Sequence, residues 1–305
     1  MKLDVGLKSD VGRQRSVNQD AGGVSEVGGG LLLVVADGMG GHQAGEEAAR
    51  LVLERVFGRF EGATESDPRE ALYFGLQDAH GEVLAYAERH GTHGMGSTAV
   101  AAFVLHDDIW VAHVGDSRFY LLRDGAVHRC TVDHTRVQKL VELRALTAAQ
   151  AKDHPDANVI TRAVGHDRQD GSSLPFEAEV RQEPYELEHG DTLVLCSDGL
   201  HGLVDDDEII AAVSGRPAQG ACERLVDLAN ARGGDDNITV IVLHVDGGTG
   251  PPEPQVRRGE ATGEDHAVRT LGDDEPDATV DLLESQRLPT PQFTRAGASR
   301  HGRRW

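Results

Sequence analysis

The sequence predicts an α+β protein built on antiparallel β-sheet. Short apolar runs of strand length recur along the chain, and tight turns join two pairs of them. One turn is "HDD" after Leu105, and the other is "DG" after Arg123, a strong hairpin signal. Strands joined by hairpins pair antiparallel. The helical stretches come in long blocks and do not alternate one for one with strands, which favours α+β over a doubly wound α/β fold.

Two helices and seven strands account for most of the predicted elements. Residues 45–60 and 68–89 have apolar residues at helical spacing, and Pro68 after Ser66-Asp67 is a typical helix start. The predicted strands are "LLLVVA", "STAVAAFVL", "DIWVAHVG", "RFYLLRDG", "AVHRCT", "DTLVLCS" and "NITVIVLHV".

The amino-acid composition limits which classes of function are possible. The chain has 305 residues, 39% of them hydrophobic, which allows a sizeable core. Its 51 acidic and 30 Lys and Arg residues give a formal net charge of -21, which argues against nucleic-acid binding through a basic surface. This charge suits a cation site, although ordinary solvated charge is the commoner explanation. The three cysteines lack CxxC spacing, so neither a zinc site nor a disulfide framework is indicated.

The ends of the sequence carry two further expectations. "MKLDVGLKSD" lacks the apolar core of a signal peptide, and the apolar runs are shorter than a membrane span. We therefore expect a soluble, cytoplasmic protein with no membrane partner. After about Val245, Pro, Gly and charged residues dominate. Residues 1–245 are thus predicted to form one domain, and residues 246–305 a disordered tail.

Aspartates recur at the ends of predicted core strands. Asp37-Gly38 follows "LLLVVA", Asp198-Gly199 follows "TLVLCS", and Asp116 follows "WVAHVG". The pair Asp235-Asp236 precedes "NITVIVLHV", and Asp20 stands in "RSVNQDAG". A single Asp-Gly is usually a plain turn. A set of them in this order indicates a site.

Clustered carboxylates indicate a divalent cation. Carboxylates are costly to bring together unless something neutralises them. All the candidate donors are oxygens, which favours Mg²⁺ or Mn²⁺ over Zn²⁺. Gly38 removes a Cβ that would obstruct approach to the backbone, and Gly40 and Gly41 let the chain turn away. Such a cluster can hold two ions roughly 3.5–4 Å apart, as in two-metal hydrolases.

At this point the sequence resembles the metal-dependent serine/threonine protein phosphatases of the PPM (PP2C) family, in their short bacterial form. The resemblance covers about residues 1–245. It rests on seven motifs in the family's order: "RSVNQDA", "VVADGMGGHQAGEEAA", "GMGSTAVAAFV", "VAHVGDSRFYLLRDG", "TVDHTRV" with "NVITRAVG", "DTLVLCSDGLHGLV" and "GGDDNITVIVLHV".

The resemblance implies a ligand set. Asp37 would bridge two Mn²⁺ or Mg²⁺ ions, and Gly38 would lend its carbonyl oxygen to one of them. Asp198 and Asp236 would complete the other ion's shell. Asp20 would act through metal-bound water.

Two more residues receive roles from the resemblance. Asp116, with Asp198, matches the position that holds a weaker third metal in bacterial members. Arg15 matches the arginine that grips the substrate phosphate, and its guanidinium fork suits two phosphate oxygens.

The implied reaction is direct attack on phosphorus by a water or hydroxide that bridges the metals, with no covalent phosphoenzyme. The implied fold is a four-layer αββα sandwich, two central antiparallel sheets with helices outside. The family's variable flap corresponds to about residues 131–165. The implied partners are phosphorylated proteins of bacterial Ser/Thr kinase signalling, and a monomer is expected.

The sequence departs from the family pattern at four points. Gln19 stands where Glu is frequent, and Met39 replaces a histidine that acts as general acid in larger members. Another donor must then protonate the leaving oxygen, and metal-bound water and His42 are the candidates, although such a histidine more often caps or packs its loop. Arg144 and Ala145 replace a usual flap glycine. Two alternatives stay open, a catalytically silent metal-binding regulatory domain and a two-metal hydrolase of small phosphate esters.

Overall fold

The computed structural model describes residues 1–61, 67–152, 154–165 and 176–246. The strands are β1 (Lys2–Asp10), β2 (Asp20–Val27), β3 (Gly30–Met39), β4 (Gly96–Ser97), β5 (Ala99–Leu105), β6 (Asp108–Val114), β7 (Arg118–Arg123), β8 (Ala126–Arg129), β9 (Glu179–Val180), β10 (Tyr185–Glu186), β11 (Thr192–Cys196) and β12 (Ile238–Asp246). The helices are α1 (His42–Glu61), α2 (Pro68–His90), α3 (Arg136–Glu142), α4 (Ala148–Lys152), α5 (Asp198–His201), α6 (Asp206–Val213) and α7 (Ala218–Ala231).

The strands form two antiparallel sheets. The first has the order β1-β12-β11-β7-β8. The second has the order β10-β6-β5-β3-β2, with β4 paired to β3 and β9 paired to β6. Helices α1 and α2 cover the second sheet, and α6 and α7 cover the first. The predicted αββα sandwich is confirmed.

Alternate side chains of each central strand lie in different cores. On β3, Leu32 and Val34 pack under α1 and α2, whereas Leu31, Leu33 and Val35 lie between the sheets. The neighbouring sheet does the same, since its inward residues share the central core and its outward residues pack under α6 and α7. Both faces of each sheet are therefore covered, which explains why these strands are continuous apolar runs.

Local sequence signals correctly predicted the start of helix α2 and the position of a hairpin turn. Helix α2 begins at Pro68 as predicted, with the Asp67 side chain accepting a hydrogen bond from the Arg69 amide, and Gly91 closes it in the left-handed conformation. The "DG" hairpin has positive φ at both turn residues, 52° at Asp124 and 74° at Gly125. This geometry matches the right-handed twist of the flanking strands.

Among the described residues, no helix has the length and apolar character needed to cross a membrane. Strand β12 ends at Asp246, one residue beyond the predicted domain boundary. Residues 247–305 lie outside the described part of the chain, so the predicted disorder of the tail stays a prediction.

Candidate active site

The acidic residues singled out in the sequence come together at one end of the sandwich. Asp20 and Asp37 are direct partners across β2 and β3. Asp198 opens α5 directly after β11, Asp236 lies two residues before β12, and Asp116 follows β6. Burial and then the nearby charges of the other four raise the pKa of Asp37 well above its usual value. One cluster therefore draws on both sheets.

The cluster carries more negative charge than the protein neutralises. Burial raises the pKa of Asp20 to about 7, with Asp198 and Asp236 adding to the rise. Burial, followed by the charge of Asp198, raises the pKa of Asp116 to about 8. Within the described residues, one buried carboxylate oxygen in each of Asp20, Asp116 and Asp198 lacks a hydrogen-bond partner. Several carboxylate oxygens without a hydrogen-bond partner are suitable ligands for divalent cations such as Mg²⁺ or Mn²⁺.

Strand β4 and its neighbours fix the backbone of Asp37. The Asp37 amide donates to Thr98 Oγ1 at 3.1 Å, and the Thr98 amide donates back to the Asp37 carbonyl at 2.8 Å. Ser97 Oγ also donates to that carbonyl, at 3.0 Å. Thr98 Oγ1 in turn lies 2.7 Å from Ser117 Oγ. The motif "GMGSTA" therefore holds the aspartate in place from a neighbouring strand.

A second set of contacts positions Asp20 and the loop before it. Ser197 Oγ donates to Asp20 Oδ2 at 2.7 Å and accepts from the Thr239 amide at 2.9 Å. Asn237 Oδ1 accepts from the Gln19 amide at 2.8 Å. Asn237 Nδ2 donates to the carbonyls of residues 11 and 17, at 2.9 and 3.0 Å. The segment that carries Asp20 is thus tied to both β11 and β12.

The glycines after the two aspartates are required by close packing. A Cβ at Gly38 would lie 2.0 Å from the Gly45 carbonyl oxygen of α1. A Cβ at Gly199 would lie 2.0 Å from the Asn237 carbonyl oxygen. Backbone packing thus supplies a reason for Gly38 that the sequence argument, based on approach of a metal, did not include. Gly40 and Gly41 have φ of 123° and 78°, which confirms the predicted turn.

Arg15 lies at the open side of the cluster. Its Nη2 donates to Asp236 Oδ2 at 2.8 Å, and 51% of its side chain is exposed. The guanidinium is therefore both anchored to the cluster and accessible from solvent.

Asp116 is the most enclosed of these acids, with 4% of its surface exposed. His201 Nε2 donates to the Asp116 carbonyl at 2.9 Å. Burial, followed by the charge of Arg118, lowers the pKa of His201 to about 3, so this ring is neutral. Arg118 makes a two-pronged pair with Asp133, at 3.0 and 2.7 Å. The segment after β6 is therefore held by the neutral ring of His201, and the nearby charge of Arg118 is paired with Asp133.

A second cluster, His113, His134 and Glu179, places its ligand-type atoms within 4.8 Å of one another. The Gly115 amide donates to His134 Nδ1, so the ring proton is on Nε2, which donates to Glu179. His113 Nε2 likewise donates to the carbonyl of Val132. With both rings committed in this way, the group is a hydrogen-bonded support for Gly115 and the loop that carries Asp116.

A cleft of about 1000 Å³ leads away from Arg15, Asp198 and Asp236. One wall is the predicted flap, which contains α3 and α4, and the other is formed by α5 and the start of α6. Lys152 Nζ on the flap lies 2.6 Å from Asp205 Oδ1 on the opposite wall. An ion pair therefore bridges the two walls.

The flap residues that depart from the family pattern have a conformational consequence. Arg144 has a φ of 57°, in the left-handed region that favours glycine. Its neighbour Leu143 is 77% exposed. Met39 ends β3 and His42 begins α1, but the His42 side chain lies outside the described part of the structure.

Sequence reasoning missed the polar residues that support the cluster. They are Ser97, Thr98, Ser117, Ser197, Asn237 and Thr239. The one available signal was their place beside the aspartates in the quoted motifs.

Comparison with known sequences gives a consistent result. The protein phosphatase 2C family profile matches residues 12–232. The serine/threonine phosphatase stp of Listeria monocytogenes is 33% identical over 247 residues, which cover 79% of this chain and 95% of that protein. The protein phosphatase PhpP of Streptococcus pneumoniae is 32% identical over 246 residues, covering 79% of this chain and 97% of that protein.

Solved structures agree. The S. agalactiae serine/threonine phosphatase superposes with a TM-score of 0.74 at 32% identity, covering 80% of this chain and 100% of that one. The catalytic domain of the serine/threonine protein phosphatase PstP, solved with two manganese ions, gives a TM-score of 0.69 at 33% identity. That match covers 80% of this chain and 99% of the PstP chain.

Proposed function

Because the chain belongs to the protein phosphatase 2C family, whose members are metal-dependent serine/threonine phosphatases, we propose that the acidic cluster is its catalytic centre. The chain is then a hydrolase that removes phosphate from phosphoserine and phosphothreonine in proteins. The observation that carries this assignment is the set of buried, unpartnered carboxylate oxygens where the two sheets meet.

The residues present fit two Mn²⁺ or Mg²⁺ ions. Asp37, the Gly38 carbonyl, Asp198 and Asp236 would hold them, and Asp20 would contribute through an intervening water. Asp116, with Asp198, would hold a weaker third ion. When bound, such a pair of cations lowers the pKa of water, orients it and neutralises charge on the phosphoryl oxygens. The two manganese ions of the PstP catalytic domain support this number and this metal.

Arg15 orients the substrate in this proposal. Its guanidinium is anchored on Asp236 yet half exposed, so a phosphate entering from the cleft can reach it. Charge-assisted bonds from a planar guanidinium fix two phosphate oxygens and therefore the direction of the scissile bond. Met39 has no proton to give, so another group must protonate the leaving oxygen. Water at the metal site and His42 are the two candidates from the sequence.

The cleft favours protein substrates over small esters. A space of about 1000 Å³ with long walls can take an extended peptide, whereas a small ester would fill only its inner end. The complete acidic cluster also disfavours the silent-domain alternative, because a domain without catalysis has no need to bury so many carboxylates.

Phosphate release from a phosphothreonine peptide tests the assignment. The purified full chain would be assayed with Mn²⁺, with Mg²⁺ and with EDTA, beside Asp37→Asn and Asp198→Asn. Asp227→Asn on the exposed face of α7 is the matched control. Activity that requires added metal, collapses in both cluster variants and persists in the control is expected. A folded, metal-loaded chain that hydrolyses small esters but no phosphopeptide would refute the protein-phosphatase assignment.

The cellular setting follows from the same proposal. Its partners would be phosphorylated proteins, including Ser/Thr kinases and their substrates. Cytoplasmic location and a monomeric state stay predictions from the sequence.

A further inference from the structure

The two walls of the cleft differ in charge. The flap wall combines apolar residues, among them Val137, Val141, Ala148 and Ala151, with polar ones, and its ammonium group is that of Lys152. The opposite wall carries three consecutive carboxylates, Asp205, Asp206 and Asp207, where α6 begins. A peptide lying in the cleft would therefore face a mixed apolar and polar wall on one side and an acidic wall on the other.

Two of these three carboxylates have no cationic partner among the described residues. Lys152 pairs with Asp205, and Arg232 makes a two-pronged pair with the next acid, Glu208, at 2.6 and 2.5 Å. In the described part of the chain, neither Asp206 nor Asp207 has a Lys, Arg or His within ion-pair distance. The wall is therefore left with uncompensated negative charge.

The arginines at the inner end of the same cleft, Arg15, Arg118 and Arg129, already pair with Asp236 or Asp133. Asp116 also lines this end, is 4% exposed, and has a buried Oδ1 without a partner among the described residues. Among the described residues, carboxylates without a cationic partner thus occur both at the inner end of the cleft and along its acidic wall. The carboxylate at the inner end belongs to the proposed metal site, whereas those of the wall are open to cationic groups of a substrate.

The contact made by Lys152 shows what kind of cation the wall accepts. Its ammonium group lies 2.6 Å from Asp205, with both side chains more than half exposed, at 59% and 67%. Exposed ion pairs of this kind contribute only about 0–1 kcal/mol. A lysine or arginine on an incoming peptide can therefore replace Lys152 or bind beside it.

We propose that the cleft selects phosphoproteins with lysine or arginine close to the phosphorylated residue, and that Asp206 and Asp207 determine this specificity. The inference rests on the proposed phosphatase function. It extends that function to a substrate class, because the acidic wall attracts basic residues beside the phosphorylated residue. Without them, the wall would repel the phosphate group.

A purely structural role for these residues makes a different prediction. Asp206 and Asp207 lie in the first turn of α6, where negative charge stabilises a helix through its dipole. Loss of that effect alone would lower the stability of the protein. It would leave the ratio of rates on different peptides unchanged.

The test uses three phosphothreonine peptides that differ only in having basic, neutral or acidic flanking residues. The full chain, a double variant Asp206→Asn with Asp207→Asn, and a control double variant Asp107→Asn with Asp227→Asn are compared. The control removes the same charge from exposed sites outside the cleft. The kcat/KM ratio of basic to neutral peptide is measured with saturating Mn²⁺, and peptide affinity is measured separately by fluorescence anisotropy.

The native chain should prefer the basic peptide, and the cleft variant should lose about three- to tenfold of that preference in both measurements. The control variant should keep it. An equal loss in both variants would assign the preference to overall charge and overturn the role of this wall. A native chain with no basic preference in binding would overturn the inference outright. Absence of hydrolysis on every peptide would refute the phosphatase function, while the binding ratios would still decide the specificity.

Discussion

Replacement of Asp20 by asparagine should stabilise the metal-free protein, and more strongly at alkaline pH. In the folded chain Asp20 is packed against Ser197 and lies near Asp198 and Asp236. Asparagine has nearly the same shape, and its oxygen can accept the same hydrogen bond from Ser197. The substitution therefore removes a buried negative charge and leaves the packing in place.

The size of the effect follows from the pKa of Asp20, which burial raises from 3.8 to about 7. Below pH 3.8 the group is protonated in both states and has no effect on stability. As pH rises above that value the unfolded chain ionises first, so the folded state loses stability until the pH passes the folded pKa. At about 1.4 kcal/mol for each pKa unit, the loss is about 1–2 kcal/mol at pH 5 and about 4 kcal/mol at pH 8.

Urea unfolding of the full chain in EDTA at pH 5 and pH 8 measures this directly. The Asp20→Asn variant should gain about 1–2 kcal/mol over the native chain at pH 5 and about 4 kcal/mol at pH 8. Excess Mn²⁺ should narrow the gap, because a cation that binds only the folded state stabilises the native chain by mass action. The exposed substitution Asp227→Asn is the control for removal of one negative charge away from the cluster.

Two results would refute this reasoning. The first is a stability difference between Asp20→Asn and the native chain that is the same at both pH values. The second is a variant less stable than the native chain at pH 8 without metal. Either would mean that burial of the Asp20 charge, with the smaller repulsion from Asp198 and Asp236, does not oppose folding.

Three other substitutions have definite expected outcomes. Arg15→Ala should lower kcat/KM on a phosphothreonine peptide about 10- to 100-fold, mainly through KM, because charge-assisted hydrogen bonds to phosphate are lost. Gly199→Ala should lower the free energy of unfolding by about 1–3 kcal/mol or more and abolish activity, since the new Cβ would lie 2.0 Å from the Asn237 carbonyl oxygen. Its control is Gly81→Ala, where the added Cβ meets nothing within 4 Å. Arg144→Gly should stabilise the fold by up to about 1 kcal/mol in urea unfolding, because φ is 57° there.

Each of these predictions has a contrary result. A kcat/KM that Arg15→Ala leaves unchanged would remove that residue from phosphate binding. Equal effects of the two glycine substitutions would mean that close backbone contact is not the cause. For the flap, Arg144→Ala keeps the left-handed strain while removing the side chain. If it stabilised the protein as much as the glycine variant, the side chain and not the backbone would be responsible.

The sequence predicted those elements whose side chains are buried on a regular pattern. Both long helices and the central strands fall in this group, because three packed cores impose the pattern directly. Strands β1 and β2 were not predicted. In β1 nearly every residue is partly exposed and polar residues are frequent, and β2 contains Gly22 and Gly23. Their strand conformation comes from pairing with distant segments, which local residue preference does not encode.

The residues of the candidate site also fall into a group that the sequence predicts and a group that it does not. The acidic residues were recognisable because a carboxylate at the end of an apolar strand is costly to bury, so its presence there stands out in the sequence. Their supports were not recognisable, because Ser197 meets Asp20 and Asn237 meets Gln19 across about two hundred residues of chain. The ion pair of Lys152 with Asp205 joins two exposed side chains 53 positions apart, and no local pattern indicates it. Helix α7 did carry a readable apolar spacing and was missed.

The pairing of β1 with β12 has a consequence during synthesis. Residues 2–10 pair along their whole length with residues 238–246, and β12 lies between β1 and β11 in the sheet. A ribosome must therefore complete most of the chain before the first sheet can close, so closure of this topology is expected to be slow. Asp236, just before β12, is also among the last cluster residues to be made. On the proposed site assignment, a chain that lacks Asp236 and β12 lacks a metal ligand, so phosphatase activity is expected to begin only after this last strand has been made and paired.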